Sequence, residues 1–126
     1  MANRESAYSE DWFKKADEDV MSAQVLLSSG ILGASAFHMQ QAIEKYLKGF
    51  LLSKNWKLEK IHDLEKLLDE AAKYKTKLEK YRTLCRVVGE YYTEERYPYL
   101  VSSELTVTEL LKNLKDIKKM IKEIVK

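Results

Sequence analysis

The stretch AFHMQQAIEKYLKGFLL, Ala36 to Leu52, decides the fold. Phe37, Ile43, Leu47, Phe50 and Leu51 fall on one side of a 3.6-residue repeat, which predicts a helix from about Ala34 to Lys54. Small residues at Ala34, Ala36 and Ala42 suit a close crossing with a neighbouring helix. The other side carries His38, Gln41, Lys45 and Lys48 at steps of three, four and three, so these four also share a face.

Upstream, Trp12, Phe13, Ala16, Val20, Ala23 and Leu27 form a second helical stripe. Ser9 reads as its start, with Glu10 and Asp11 in the first turn. Gly30 and Gly33 bracket the link to the next helix, Ser29-Gly30 being the stop. Downstream, Asp63 is the expected cap of a short helix from Leu64 to about Tyr74, burying Leu64, Leu67, Leu68 and Ala71. A fourth helix from about Leu78 to Glu95 faces inward with Leu78, Tyr81, Leu84, Cys85, Val88 and Tyr92, and stops before Pro98. The last begins at Thr106, with Glu109 at capping-box spacing. It is expected to bury Val107, Leu110, Leu114, Ile117, Ile121 and Ile124 and to expose Lys112, Lys115, Lys119, Lys122 and Lys126.

The sum is an all-α, up-and-down bundle of about five helices, four long and one short, in a single domain spanning residues 1–126 with its core at about 9–125. Four glycines and one proline are too few for a turn-rich β fold. Dense Lys and Glu with scarce Asn, Gln and Cys give a thermophile-like composition. A net charge of +2 does not by itself imply nucleic-acid binding. Its distribution is uneven, however: the first helix is acidic, while the second and last are basic. No run approaches a membrane span and no signal-peptide pattern opens the chain, so a cytoplasmic location is expected. One cysteine, Cys85, and two histidines, His38 and His62, leave no thiolate or paired-histidine metal set, and no Gly-rich phosphate loop is present. No cofactor is expected.

Three features carry possible chemistry. The strip His38, Gln41, Lys45 and Lys48 suits a phosphate or a base edge, but reads more simply as a solvated or dimer-facing surface. His62 beside Asp63 reads as an acid or base, or as part of a helix start. The segment Tyr91 to Tyr99, YYTEERYPY, gathers four of the chain's 8 tyrosines around Arg96 where a helix breaks. Aromatic faces stack on bases and a guanidinium grips phosphate, so Tyr92, Arg96, Tyr97 and Tyr99 form a candidate ligand site. The structural alternative puts Tyr92 in the core, Arg96 at a helix C-terminus and the other tyrosines in a dimer seam.

AFHMQQAIEKYLKGFLL (36–52), HDLEKLL (62–68) and ERYPY (95–99), in this order, resemble the HEPN family, over about Ser9 to Val125. The resemblance implies a helical bundle that commonly forms homodimers. It also implies a possible minimal nucleotidyltransferase partner in a toxin–antitoxin-like pair, and a nucleotide or RNA ligand. Many members are metal-independent ribonucleases whose signature is an arginine followed four to six residues later by a histidine. No histidine follows Arg82, Arg86 or Arg96 at that distance, so the ribonuclease residues do not carry over. The expectation is a non-catalytic module that binds a nucleotide or a nucleotidyltransferase. The alternatives are a divergent ribonuclease using Arg96 with a tyrosine or His38, and a purely structural dimerisation module.

Overall fold

The computed structural model describes residues 2–92 and 105–126, with backbone only for 2–7. Five helices are present among the described residues: α1 (Ala2–Ser28), α2 (Leu32–Leu52), α3 (Leu64–Ala72), α4 (Arg82–Gly89) and α5 (Val107–Val125). A 3-10 segment, Thr76–Tyr81, leads into α4. No strand occurs among the described residues.

Helix α2 is the centre of the bundle. It packs most extensively on α1 and also touches α3, α4 and α5, so fourteen of its twenty-one residues are buried. Met39, Ile43, Leu47 and Leu51 are closed off completely, against Leu64, Leu67 and Leu68 of α3 and Leu110, Ile117 and Met120 of α5 among others. Alternate apolar stripes on the outer helices thus meet a helix that has almost no solvent face.

The α1–α2 seam corrects the expected start of the first helix. Helical structure extends back to Ala2, and Ser9 lies inside it, buried. Its hydroxyl donates to the Gly49 carbonyl at 2.6 Å rather than capping a helix. At the other end of the seam Ser35 donates to the Ala23 carbonyl at 2.7 Å. Between these clasps the packed residues include Ala16, Ala23, Ala36 and Ala42, as small residues in a close crossing require. Gly49 is the tightest point: a Cβ there would lie 2.7 Å from Phe13 Cε1 and 3.2 Å from the Ser9 carbonyl oxygen. The Phe13 ring is itself stacked on Tyr46 at 5.5 Å. The link between the helices turns at Gly30, whose φ of +77° is the left-handed conformation expected of a helix-stop glycine. Gly33 does not bracket the link, because α2 already begins at Leu32.

Asp63 caps α3 as expected, accepting from the backbone N–H of Glu65 at 2.9 Å and of Lys66 at 3.2 Å. The fourth helix differs from the reading of one continuous element. Its first turns are 3-10, and a turn at Glu90 interrupts it before helical geometry resumes at Tyr91 and Tyr92. That interruption shifts the register, so Tyr91 enters the core at 3% exposure and Tyr92 is left half-buried. Arg82 clamps this region, pairing with Glu79 of the 3-10 segment and with Glu65 and Asp69 of α3.

On α5, Thr106 accepts from the Glu109 backbone N–H at 3.1 Å. The Glu109 carboxylate instead accepts from the Tyr91 hydroxyl at 2.9 Å, and buried Asn113 donates to the same hydroxyl at 2.8 Å. Leu110, Leu114, Ile117 and Ile124 are buried as expected. Val107 is not, at 46% exposure, because the core-facing stripe runs instead through Asn113 and Met120.

Gly49→Ala is expected to destabilise the chain by about 1–3 kcal/mol, since the added methyl meets a packed ring and a backbone carbonyl. Denaturant unfolding monitored by helical circular dichroism measures this, and an unchanged midpoint would refute the close-crossing reading.

Candidate functional site

The polar strip of α2 does not reach solvent as one surface. His38 Nδ1 lies 2.8 Å from Asp19 Oδ1, and Lys45 donates to Asp19 Oδ2 at 2.6 Å. Asp19 comes from α1 and is 6% exposed, so His38 and Lys45 converge on one buried carboxylate. Lys48 turns to Glu44, one helical turn earlier, at 2.9 Å, with its ammonium 5.7 Å from the centre of the Trp12 ring. Both members of this second pair are buried. Gln41 donates to Gln40 at 2.7 Å, and Gln40 donates in turn to Glu44 at 3.0 Å and to the His62 carbonyl at 3.3 Å. Four residues of one expected face are thus divided between two acid anchors.

His62 belongs to the second anchor. Its side chain does not cap α3, since Asp63 does that. Instead Nδ1 lies 3.0 Å from Glu44 Oε2. A carboxylate only accepts, so this contact assigns the hydrogen of a neutral ring to Nδ1 and leaves Nε2 as an acceptor. The imidazole side chain is 54% exposed while the glutamate that orients it is 6% exposed. A buried carboxylate holding an accessible imidazole in one tautomer is an arrangement that serves hydrogen bonding to a ligand or proton transfer.

An aromatic row runs beside the two anchors. The His62 ring stacks on Tyr92 at 5.2 Å with 11° between planes. Tyr92 stacks on Phe37 at 6.2 Å, and Phe37 meets His38 edge-on at 5.6 Å. The row therefore joins two sequence candidates, Tyr92 and His38, through Phe37 and His62. Next to it opens a cleft of about 350 Å³ whose walls include His62, Tyr92, Gly89 and Arg86. Arg86 is held by Glu65 at 3.2 Å with its side chain more than half exposed. Arg96, Tyr97 and Tyr99 lie outside the described residues.

Cys85 also borders this cleft, but burial pushes its thiol up to about 12 against an opposing pull from Arg82. A thiol that stays protonated near neutrality is not a nucleophile. Among the described residues no group of three or more His, Cys, Asp or Glu is arranged to hold a metal ion, and no helix is long and apolar enough to cross a membrane.

Sequence reasoning did not find Asp19, Glu44, Phe37 or Arg86 as site members. Glu44 and Lys48 at i, i+4 look like an ordinary exposed helix pair. Only the packing of α1 and of the His62–Asp63 lead-in against α2 reveals that they are buried. His62 was in view, yet its partner, eighteen residues earlier, was not.

The HEPN domain model matches residues 9–124, and the chain belongs to the HEPN family. Its fold is similar to that of TT1696 from Thermus thermophilus, at 25% identity and a TM-score of 0.76, covering 92% of this chain and 94% of the other. It is also similar to ST0689, an archaeal HEPN homologue, at 21% identity and a TM-score of 0.72, covering 92% and 93%. No curated protein matches the sequence.

Glu44→Ala removes the shared anchor of Lys48, Gln40 and His62 and leaves a buried ammonium unpaired. A loss of about 3–5 kcal/mol is expected. Glu44→Leu combined with Lys48→Met is expected to cost much less, because no charge then remains buried. Urea unfolding of the two variants compares them directly, and equal losses would contradict the anchor.

Proposed function

We propose that this HEPN chain is a nucleotide-binding module that works with a nucleotidyltransferase partner in a two-component, toxin–antitoxin-like system. The observation that carries the ligand half is the aromatic row ending on His62. A base stacks on the exposed side of that imidazole, and Nε2 is available to a donor on the base or the ribose. Arg86, across the adjoining cleft, is the guanidinium placed to take phosphate, and the sequence offers another in Arg96, four residues beyond Tyr92 and outside the described residues. The row rests on Glu44, so the stacking platform is pre-organised and little ordering is required when the ligand arrives. The partner half rests on family membership alone.

Titration of the purified chain with labelled ATP and the other nucleotides tests the ligand half. Loss of a stacked ring is worth about 1–3 kcal/mol per base, so His62→Ala and Tyr92→Ala are each expected to weaken binding about fivefold to a hundredfold. Arg96→Ala is expected to weaken triphosphates more than nucleosides. If no nucleotide binds below millimolar concentration, and none of the three variants changes anything, the ligand half fails.

One observation favours a second reading, a divergent ribonuclease. The base missing after every arginine in the sequence has a spatial substitute in His62, oriented by Glu44 as a triad carboxylate orients its histidine. In that reading Nε2 takes the proton of a ribose 2′-hydroxyl, the 2′-oxygen attacks phosphorus, and the 5′-oxygen leaves with a proton from water. Incubation with RNA is expected to give cleavage that falls by about a hundredfold or more in His62→Ala. Cleavage that survives that substitution excludes His62 as the base.

A further inference from the structure

Helix α4 has two accessible faces, and the His62 cleft uses one of them. Cys85, Arg86 and Gly89 border that cleft, whereas Thr83, Leu84 and Val87 stand on the opposite side of the helix. There they wall a second cleft, of about 450 Å³, whose far side is α5. Val87 is 37% exposed and Leu84 half-buried, so this wall offers aliphatic surface to water. The candidate site makes no use of it.

The α5 side is polar and sorted into two rows. Asn113 and Asp116, one turn apart, form the inner row. Asn113 is 7% exposed; its amide nitrogen donates to the Tyr91 hydroxyl at 2.8 Å, while no described residue donates to its amide oxygen. Asp116 has its nearest cation, Lys112, at 3.8 Å, too far for a hydrogen bond. A buried polar atom is ordinarily paired, so an acceptor without a donor on the wall of a cleft is a place for an incoming N–H. The outer row is Lys112 and Lys119, seven residues and roughly 10 Å apart. Lys80, held by Glu123 at 2.8 Å, adds a third ammonium at the rim.

We propose that this cleft takes an extended peptide segment of a protein partner, one in which aliphatic and acidic side chains alternate. An extended chain presents an N–H along one edge at every second residue, roughly 7 Å apart, and turns successive side chains to opposite sides. With that edge toward α5's inner row, N–H groups reach Asn113 and Asp116, whose side chains leave the helix roughly 5–6 Å apart. One set of side chains then lies on Leu84 and Val87, and the other meets Lys112 and Lys119. Three lysines around one aspartate select acids for that second set. A helical partner has no spare N–H in its middle for the two acceptors. A nucleic-acid strand needs open aromatic faces for its bases, and the ring lining this cleft, Tyr81, already faces the Lys80 ammonium at 5.5 Å.

The two clefts lie on opposite faces of α4, so a peptide in one and a nucleotide in the other do not compete. The peptide site stands whether or not the His62 cleft binds a nucleotide, and its partner is defined by side-chain chemistry alone.

Fluorescence anisotropy of the whole chain with a labelled peptide of sequence ELEVELEV tests this. The peptide is expected to bind saturably. Val87→Asp, and Lys112→Glu combined with Lys119→Glu, are each expected to weaken it by at least about tenfold with helical content unchanged. Lys60→Glu combined with Lys66→Glu makes the same change in net charge at exposed positions outside the cleft, and is expected to leave binding unaltered. Methylating one alternate set of the peptide's N–H groups is expected to abolish binding, and methylating the other set to be tolerated. No binding below millimolar concentration, or binding indifferent to the cleft variants, overturns the proposal. Equal weakening by the distant pair reduces the effect to bulk charge and overturns it too, as does equal tolerance of both methylated peptides. A uridine oligonucleotide that displaces the peptide and depends on the same lysines reassigns the cleft to polyanions.

Discussion

Helix α2 has almost no surface of its own, and that constraint shapes the rest of the molecule. A helix buried on nearly every side must satisfy each of its polar groups inside the protein, because an unpaired buried charge or amide costs several kcal/mol. Gln40, Glu44 and Lys48 sit in that position. Their mutual hydrogen bonds, and those that Glu44 and Gln40 make to His62, are the form the solution takes. The lead-in to α3 is thereby tied to the centre of α2, and the apolar face of α3 closes the core beneath it.

The candidate site follows from the same requirement. An exposed histidine on a loop before a helix would ordinarily rotate freely. Here a carboxylate removed from water fixes the ring, and stacking on Tyr92 fixes its plane. Asp19 does the equivalent for His38 and Lys45 from the α1 side. The candidate site and the core share one set of groups, so substitutions at Glu44 reach both, whereas the rings of His62 and Tyr92 are less deeply buried and can be changed with less cost to the core.

The seam between α1 and α2 explains why the frame is rigid enough for this. Two serine hydroxyls bond main-chain carbonyls across it, and Gly49 allows Phe13 and the backbone of α1 to approach closer than any side chain would permit. Close contact over the length of two helices leaves little room for sliding, so Asp19 and Asp17 reach their partners on α2 at set heights. Tyr46, for example, is tied to Asp17 by its hydroxyl while its ring stacks on Phe13.

The sequence by itself determined the number and order of the helices, the caps at Asp63 and Thr106, the stop at Gly30 and most of the apolar core. These are local matters: a 3.6-residue period, a side chain bonding its own backbone, a glycine free to take positive φ. It also singled out Tyr92, His38 and the α2 strip, because residue type and spacing mark a shared face. What it did not determine was which faces are covered. The strip resembled a solvated surface, Ser9 a cap, Val107 a core residue and Tyr92 an inward one. Each reading changed for a reason that spacing does not carry: α1 starts before Ser9, its Asp19 lies over part of the strip, the core-facing stripe of α5 passes through Asn113 and Met120 rather than Val107, and a turn at Glu90 rotates the residues that follow it. The pairing of His62 with Glu44 is the clearest case, since a histidine finds a carboxylate eighteen residues away only when two helices and the link between them have folded together.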